Sequence, residues 1–518
     1  MLTQPRAAVP VPRTALAPAP PAAPAATRPS TPRPAPPTRS RWLWVLPVLL
    51  AAALGLYRAS SIVLWWDELS TLDIAERPVG GILATARNVD AVHTSYYLFM
   101  HFWIAAFGDS ALALRLPSVL AMCGATACTS AIAQRLFNRR VALTASTVFA
   151  LIPGVARYAG EARSYGFVVL GATAAFLLLL RALERPDRRR WAAYGAMLAA
   201  TGALNLIALT AVAGHVVAAL VRSQPAERRR LLKPFAIAVA AALLIDSPII
   251  VYGILEAHSQ LGDLPSASVS DLPSMWRDTG CSTAVAVLVL MALPQLANHR
   301  RRGPELTILA CATLPVLSVW TVSLFGIGFD TFARYLLFVL PAWAIAVAVA
   351  ADRLWPARDA VLLAVILVTA VVVTHDQIIL HGQLSHFDFD YPGPAVGAED
   401  YPAAASIVEA GYRPGDAATF SASPHLDLGV NDYLPADEQL RDVFVAQTDV
   451  RQHSLTPEFC ASTAACLAKA PDRIWMFETG FDAPFTTERA DWALSLMLDY
   501  RIVEVWHVEG ITITLLER

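Results

Sequence analysis

The chain has 518 residues, of which 56% are hydrophobic and only 16% charged, with a formal net charge of −2 and a mean hydropathy of +0.48. Soluble domains carry about 25% charged residues, so this composition excludes a disordered chain, a collagen-like chain and a typical nucleic-acid binder, and it puts most of the chain in a bilayer. The near-zero net charge gives no electrostatic reason to expect an acidic polymer as partner.

Residues 1–40 hold twelve of the 36 prolines and no acidic residue. Such a stretch cannot bury enough apolar surface to offset its ordering entropy, so a disordered Pro/Ala-rich tail is expected. It carries Arg6, Arg13, Arg28, Arg33 and Arg39 and no small-residue cleavage pattern behind an apolar core. It therefore reads as a cytoplasmic tail ahead of a first membrane helix rather than a cleaved signal peptide.

From residue 42 the apolar runs repeat. A spanning helix needs about 20 mainly apolar residues, and the candidates are 42–58, 111–134, 141–156, 165–183, 190–207, 208–222, 233–254, 279–297, 305–325, 333–351 and 358–376, about eleven spans. Basic clusters follow every second run: Arg135/Arg139/Arg140, Arg185/Arg188/Arg189/Arg190, Arg228/Arg229/Arg230/Lys233, Arg300/Arg301/Arg302 and Arg353/Arg358. Positively charged loops stay in the cytoplasm. All five clusters fall inside if the N-terminus is cytoplasmic and the C-terminus extracytoplasmic. The run 95–107 would invert every later loop if it spanned, so it is placed as a helix lying at the outer face, within one long outer loop, 59–110.

Beyond 376 the composition changes to turn signals and short mixed elements. ATFSAS and RIWMFE read as strands, 401–411 and 485–500 as helices, and RIVEVWHV and ITITLLE, joined by Glu509-Gly510, as a hairpin. Residues 377–518 are thus expected to form a small extracytoplasmic α/β domain. Cys460 and Cys466, separated by five residues, are disulfide candidates in an oxidising compartment. The other cysteines lie in membrane runs and read as packing residues.

Ionisable groups near the outer face stand out against so apolar a chain. Trp65-Trp66-Asp67-Glu68 follows the first run. The tryptophans suit an interfacial belt, and a carboxylate there can take a proton from a hydroxyl or, more simply, cap a helix. His93, Tyr96 and Tyr97 bring donors and aromatic faces suited to a sugar or a phosphate, or to anchoring in the interface. Arg115 opens the second run; Glu161, Arg163 and Tyr165 lie on the outer turn between the third and fourth; Asp330, Arg334 and Tyr335 open the tenth. Guanidinium groups bind phosphate bidentately, although each alone also suits snorkelling to lipid headgroups. The chain has no phosphate-binding glycine loop, no nucleophile elbow and no zinc spacing.

The order Asp-Glu, H-x-x-x-Y, L-R-L-P-S, R-L-F-x-R-R, E-A-R-S-Y and R-Y-L-x-x-x-x-P (Arg334, Tyr335, Leu336, Pro341) resembles the protein O-mannosyltransferase superfamily, GT-C-type glycosyltransferases that use polyprenyl-phosphate sugars. The resemblance covers about 59–170 well and 330–341 moderately, and the C-terminal part resembles that of actinobacterial members. His93 is followed by Thr94 where the family often has proline, a departure in the pocket. The resemblance implies a GT-C-like helical membrane domain over 41–376. It implies an inverting transfer of a sugar, mannose first, to an acceptor hydroxyl on a protein, glycan or lipid at the outer face of the plasma membrane. Asp67 would be the base and Glu68 its orienting partner, with Arg115, Arg163 and Arg334 as phosphate candidates. A lipid-phosphate leaving group needs no nucleotide and no obligatory metal; an ion held by Asp67 and Glu68 is the alternative. The competing functions are a flippase for lipid-linked sugars, for which Asp246 and His215 are the mid-span polar residues, and a non-catalytic envelope assembly factor.

Overall fold

The computed structural model describes residues 44–261, 268–297, 303–324, 333–354, 359–384, 399–420, 424–480, 484–485 and 490–518. The expected N-terminal tail, Asp330, the Arg300–Arg302 cluster, Arg358 and residues 421–423 of ATFSAS lie outside them.

The bundle begins with α1 (Val45–Leu56) and a segment of α2 (Trp66–Glu76), α3 (Val79–Asn88) and α4 (Thr94–Phe107). It continues through α5 (Ala111–Leu136), α6 (Arg139–Leu151), α7 (Pro153–Ala159), α8 (Tyr165–Glu184), α9 (Arg188–Gly202), α10 (Ala211–Arg222), α11 (Arg228–Ile245) and α12 (Ser247–Leu261). The last helices are α13 (Asp271–Gly280), α14 (Thr283–Ala297), α15 (Gly303–Ser323), α16 (Leu340–Leu354), entered through the 3-10 helix Ala333–Val339, and α17 (Asp359–Gly382).

Against the eleven apolar runs of the sequence, five described helices are long and apolar enough to cross a membrane, or eight if each of three bent pairs counts as one span. The run 141–156 is not one straight helix. Ile152, held extended ahead of Pro153, separates α6 from α7 at 61°, as a residue before proline is expected to do. The run 233–254 breaks by 56° after Asp246, at Ser247-Pro248, and α13 meets α14 at 112° behind Cys281, whose backbone is left-handed.

Two ends of the bundle are chemically distinct. At one, Arg135 pairs with Glu184 at 2.8 Å, Arg222 approaches Glu184 at 4.0 Å, Arg353 pairs with Glu305 and donates to the Gln295 carbonyl, and Asn138 bonds Asp352. These contacts gather the C-terminal ends of α5, α8, α10, α14 and α16 with the starts of α6 and α15. At the opposite end the same α5 and α8, with the 3-10 helix leading into α16, present Arg115, Arg163 and Arg334. Here α5 and α8 touch. A Cβ on Gly166 would lie 2.9 Å from the Ser118 carbonyl oxygen, and the Ser118 hydroxyl donates to the Arg163 carbonyl. Gly166→Val is expected to push these helices apart and lower the folded yield in detergent.

The C-terminal residues contain strands β1 (Ala417–Phe420), β2 (Val445–Gln447), β3 (Glu458–Phe459), β4 (Arg473–Thr479), β5 (Arg501–Val508) and β6 (Ile511–Glu517). Four form a mixed sheet ordered β1-β4-β6-β5, with β1 parallel to β4 and the other pairs antiparallel, while β2 and β3 pair separately. Strand side chains alternate between faces. Trp475 and Phe477 of β4 enter one core, and Ile474 and Met476 enter another with Trp492 and Leu496. The first core also contains Leu69, Leu72 and Ile74 of α2, Tyr96 and Tyr97 of α4, and Tyr401, Leu426 and Val430. The sheet therefore shares its hydrophobic core with α2 and α4. Cys460 and Cys466 form a disulfide.

One ion-pair cluster fastens this seam. The Arg77 guanidinium is buried between Asp73 at 2.6 Å and Asp449 at 2.5 Å, and donates to the Ser454 carbonyl. Burial, with Asp449 beside it, raises the Asp73 carboxyl despite Arg77. Removing Arg77 leaves two facing acids. Arg77→Met is expected to cost near the low end of the roughly 3–5 kcal/mol of a broken buried pair, because both acids are partly exposed. A carboxyl raised in the folded state favours folding as pH falls, so the deficit is expected to shrink on acidification. Thermal unfolding of the variant between pH 8 and pH 5 checks the sign.

Candidate active site

Asp67 stands in the first turn of α2. A carboxylate suits a helix N-terminus, where backbone N–H groups point outward. Its side chain keeps 23% of its surface, and its Oδ2 lies 3.6 Å from Arg163 Nε and 3.6 Å from Arg334 Nη2. Burial pushes this carboxyl up; the guanidinium groups of Arg163 and Arg334 outweigh it and hold it below its ordinary value. Asp67 is therefore an ionised carboxylate across the physiological range.

Glu68, the next residue, has the opposite environment. Its two oxygens accept from Arg115 Nε at 2.7 Å and Nη2 at 2.6 Å, and Oε1 also accepts from the Ala162 N–H at 2.8 Å. Arg115 Nη1 donates to the Ala59 and Ile62 carbonyls and Nη2 to that of Val63. Both side chains are 0% exposed. The structure thus places Arg115 and Glu68 in a closed clamp tying the entry of α2 to α5 and to the α7–α8 turn. Neither turns a free polar atom outward, and the Asp67–Glu68 pair does not converge on one point. Among the described residues no group of three or more His, Cys, Asp or Glu could hold a metal ion.

Arg163 is the hub. Its Nη1 donates to the Tyr97 hydroxyl at 3.3 Å, the Thr71 hydroxyl at 3.4 Å and the Asp67 carbonyl at 3.4 Å, and its Nη2 lies 3.4 Å from His93 Nε2. Asp90 supports this arrangement: its Oδ1 meets His93 Nδ1 at 2.5 Å and its Oδ2 accepts from the Tyr97 hydroxyl at 2.5 Å. Asp90 holds a left-handed backbone, φ 61°, which aspartate tolerates better than most residues. Arg334 lies over three rings, with its guanidinium carbon 5.5 Å from Trp65, 5.9 Å from Tyr165 and 5.8 Å from Tyr335. The other face of the neighbourhood is Arg157, paired with Glu161 and 5.5 Å from the same Trp65 ring.

Of the residues singled out in the sequence, Asp67, His93, Tyr97, Arg163 and Arg334 therefore meet, with Tyr165 and Tyr335 beside Arg334. Glu161 is buried against Arg157, and Tyr96 is buried against Phe167 and Phe99. Trp65, Asp90 and Arg157 belong to the same cluster; Trp65 is marked in the sequence as an interfacial tryptophan, Asp90 and Arg157 only by proximity to the named motifs. His425, stacked on Trp66, and Glu399 arrive from the C-terminal part, and no local pattern marks either. The mid-span candidates lie elsewhere. His215 bonds the Tyr194 hydroxyl at 3.1 Å and stacks on Phe176, and it lines a mostly apolar cavity with Phe176, Cys311 and Phe338 that shares no residue with this cluster.

The family described as dolichyl-phosphate-mannose-protein mannosyltransferase matches over residues 95–252, a stretch that holds Arg115 and Arg163 but neither Asp67 nor Arg334. Among solved structures, ArnT from Cupriavidus metallidurans bound to undecaprenyl phosphate is similar at TM-score 0.61 and 16% identity, over 92% of this chain and 98% of that one. Its apo state is similar at 0.59 and 15%, over 91% and 97%. The arabinofuranosyltransferase AftD from Mycobacteria is similar at 0.50 and 14%, over 92% of this chain and 40% of that one. No curated protein matches the sequence. The likeness to ArnT, over nearly the whole of both chains, shows a shared fold, and the family match covers less than a third of this chain.

Proposed function

We propose that the protein moves a sugar, mannose by preference, from a polyprenyl-phosphate donor to an acceptor hydroxyl at the outer face of the plasma membrane, with inversion at the anomeric carbon. The carrying observation is the contrast between neighbours: Asp67 is partly exposed and set between two guanidinium groups, whereas Glu68 is sealed against Arg115. Asp67 accepts the proton of the acceptor hydroxyl. The hydroxyl oxygen bonds to the anomeric carbon as the bond from that carbon to the phosphate oxygen breaks. Arg163 and Arg334 stabilise the charge that collects on the departing polyprenyl phosphate, a role preorganised donors fill well. Tyr165, Tyr335 and Trp65 shape the place of the sugar, and His93 and Tyr97, held by Asp90, fix Arg163. Glu68 and Arg115 position the turn that carries Asp67.

The neighbours support the donor class: ArnT is described with undecaprenyl phosphate bound. The placement outside is supported by the arginine clusters at the opposite end of the bundle, since positive loops stay in the cytoplasm. That topology, with about eleven crossings, puts the C-terminal α/β part beside the site outside the membrane. A flippase reading would need polar residues along the bundle; of its two mid-span candidates, His215 bonds Tyr194 and Asp246 lies buried at the break between α11 and α12.

Arg334→Lys and Arg163→Lys keep a charge but lose the planar fork that grips phosphate. Each is expected to lower kcat/KM for the donor by about 10–100-fold, the value of one or two charge-assisted hydrogen bonds. Transfer rates across donor concentrations, with a polyprenyl-phosphate sugar as label, test this; unchanged kcat/KM in both variants would remove the arginines from donor recognition. Because Asp67 titrates below its ordinary value in the free protein, the acid limb of kcat/KM is expected below the usual carboxylate range of about 4. It should move upward in Arg334→Gln.

A further inference from the structure

The C-terminal part reaches the candidate site through the side chain of His425. This ring stacks on Trp66 with centroids 4.5 Å apart and planes 16° from parallel. Its Nδ1 is buried without a hydrogen-bond partner among the described residues. Trp66 is the first residue of α2 and Asp67 is the second. The indole N–H of Trp66 bonds the Glu399 carboxylate, which also accepts from the Tyr401 hydroxyl. Tyr433, at the far end of the helix Pro424–Tyr433 that begins beside His425, bonds the backbone at Leu64, just before α2. Three contacts from the C-terminal part thus converge on the entry of α2: one on the face of Trp66, one on its N–H and one on the preceding backbone.

We propose that His425 is a positioning residue for Asp67: by clamping the Trp66 ring it fixes the first turn of α2, so that the C-terminal part completes the active site rather than serving only as a separate acceptor platform. Burial pushes the His425 imidazole down to about 4, against the pull of the Asp67 carboxylate, so at neutral pH it stacks as an uncharged ring. An uncharged ring beside Asp67 leaves Arg163 and Arg334 as the cations that set the carboxylate, with His93 behind Arg163. The chemical requirement at 425 is therefore a flat ring more than a titrating nitrogen. This inference rests on the reading of Asp67 as the base.

The experiment compares His425→Ala, which removes the ring, with His425→Phe, which keeps a ring and removes the nitrogens. The full-length protein is labelled with fluorotryptophan, and the Trp66 resonance is assigned with Trp66→Phe. In His425→Ala the Trp66 fluorine signal is expected to shift or broaden, kcat to fall about ten- to hundredfold as misplaced catalytic groups do, KM for the donor to change little, and the acid limb to rise. His425→Phe is expected to restore the Trp66 signal and most of kcat. A Trp66 signal in His425→Ala identical to that of the original protein overturns the proposal. So does a His425→Phe protein as slow as His425→Ala with Trp66 undisturbed, which would make His425 act through its nitrogens. The fluorine comparison reads the positioning of Trp66 whether or not the labelled donor is a substrate. A failed transfer assay with the original protein therefore counts against the proposed function, and the Trp66 signal alone then decides the clamp.

Discussion

Replacing Asp67 with asparagine is expected to lower transfer by about 10²–10⁴-fold, the usual contribution of a general base, while leaving the fold intact. The amide keeps the size of the carboxylate and can still accept a hydrogen bond, but it cannot take a proton. Stability should fall only modestly at neutral pH. Asp67 is depressed in the folded state by Arg163 and Arg334, so its ionised form stabilises the fold above its unfolded value, and that contribution is lost as pH falls through the folded one. With 23% of its side chain exposed, solvent screening keeps the loss small. Asp67→Glu keeps the chemistry but moves the oxygens by one methylene, and it is expected to fall between the two. Transfer rate and thermal unfolding measured on the same preparations separate these effects: inactive and stable is the expected result for Asn, and fully active would overturn the assignment.

The opposite pattern is expected one residue along. Glu68→Gln leaves the Arg115 guanidinium buried with its charge unmatched. Breaking a fully buried pair in this way costs about 3–5 kcal/mol. The expected outcome is loss of folded protein from the membrane. The double substitution Glu68→Leu/Arg115→Met should not rescue it as apolar replacement of isolated pairs sometimes does, because the carbonyls of Ala59, Ile62 and Val63 and the Ala162 N–H would each lose a buried partner. Yield after detergent extraction, and the melting temperature of what is recovered, are the readouts. A stable, abundant and inactive Glu68→Gln protein would contradict the positioning role and make Glu68 part of the chemistry.

The two carboxylates show what a sequence can and cannot convey about such a site. That Asp67 and Glu68 are candidates is legible, because paired acids behind two tryptophans stand out in so apolar a chain. Their division of labour is not. Successive residues on a helix point about 100° apart, so adjacent carboxylates need not serve one centre, and which of them faces the site depends on where α5 lies. The meeting of Arg163 and Arg334 was legible only through topology: the basic clusters behind alternate runs put the starts of α5, α8 and the 3-10 helix before α16 at one end. The hairpin of β5 and β6 was readable at its observed bounds, since alternation and a Glu-Gly turn are local signals. By contrast, the parallel pairing of β1 with β4, the core the sheet shares with α2 and α4, and the stack of His425 on Trp66 all join distant parts of the chain. Apolarity alone does not register the breaks at Pro153, Asp246 and Cys281, which bend three of the described spans.

The most direct measurement follows radiolabelled sugar supplied as polyprenyl-phosphate-mannose to membranes containing the protein, beside membranes with equal amounts of Asp67→Asn and no nucleotide sugar. The expected result is label moving from the lipid fraction to an acceptor only with the original protein. Equal transfer by both would contradict Asp67 as the base. Failure of the original protein with this donor and with other polyprenyl-phosphate sugars would contradict the transferase itself.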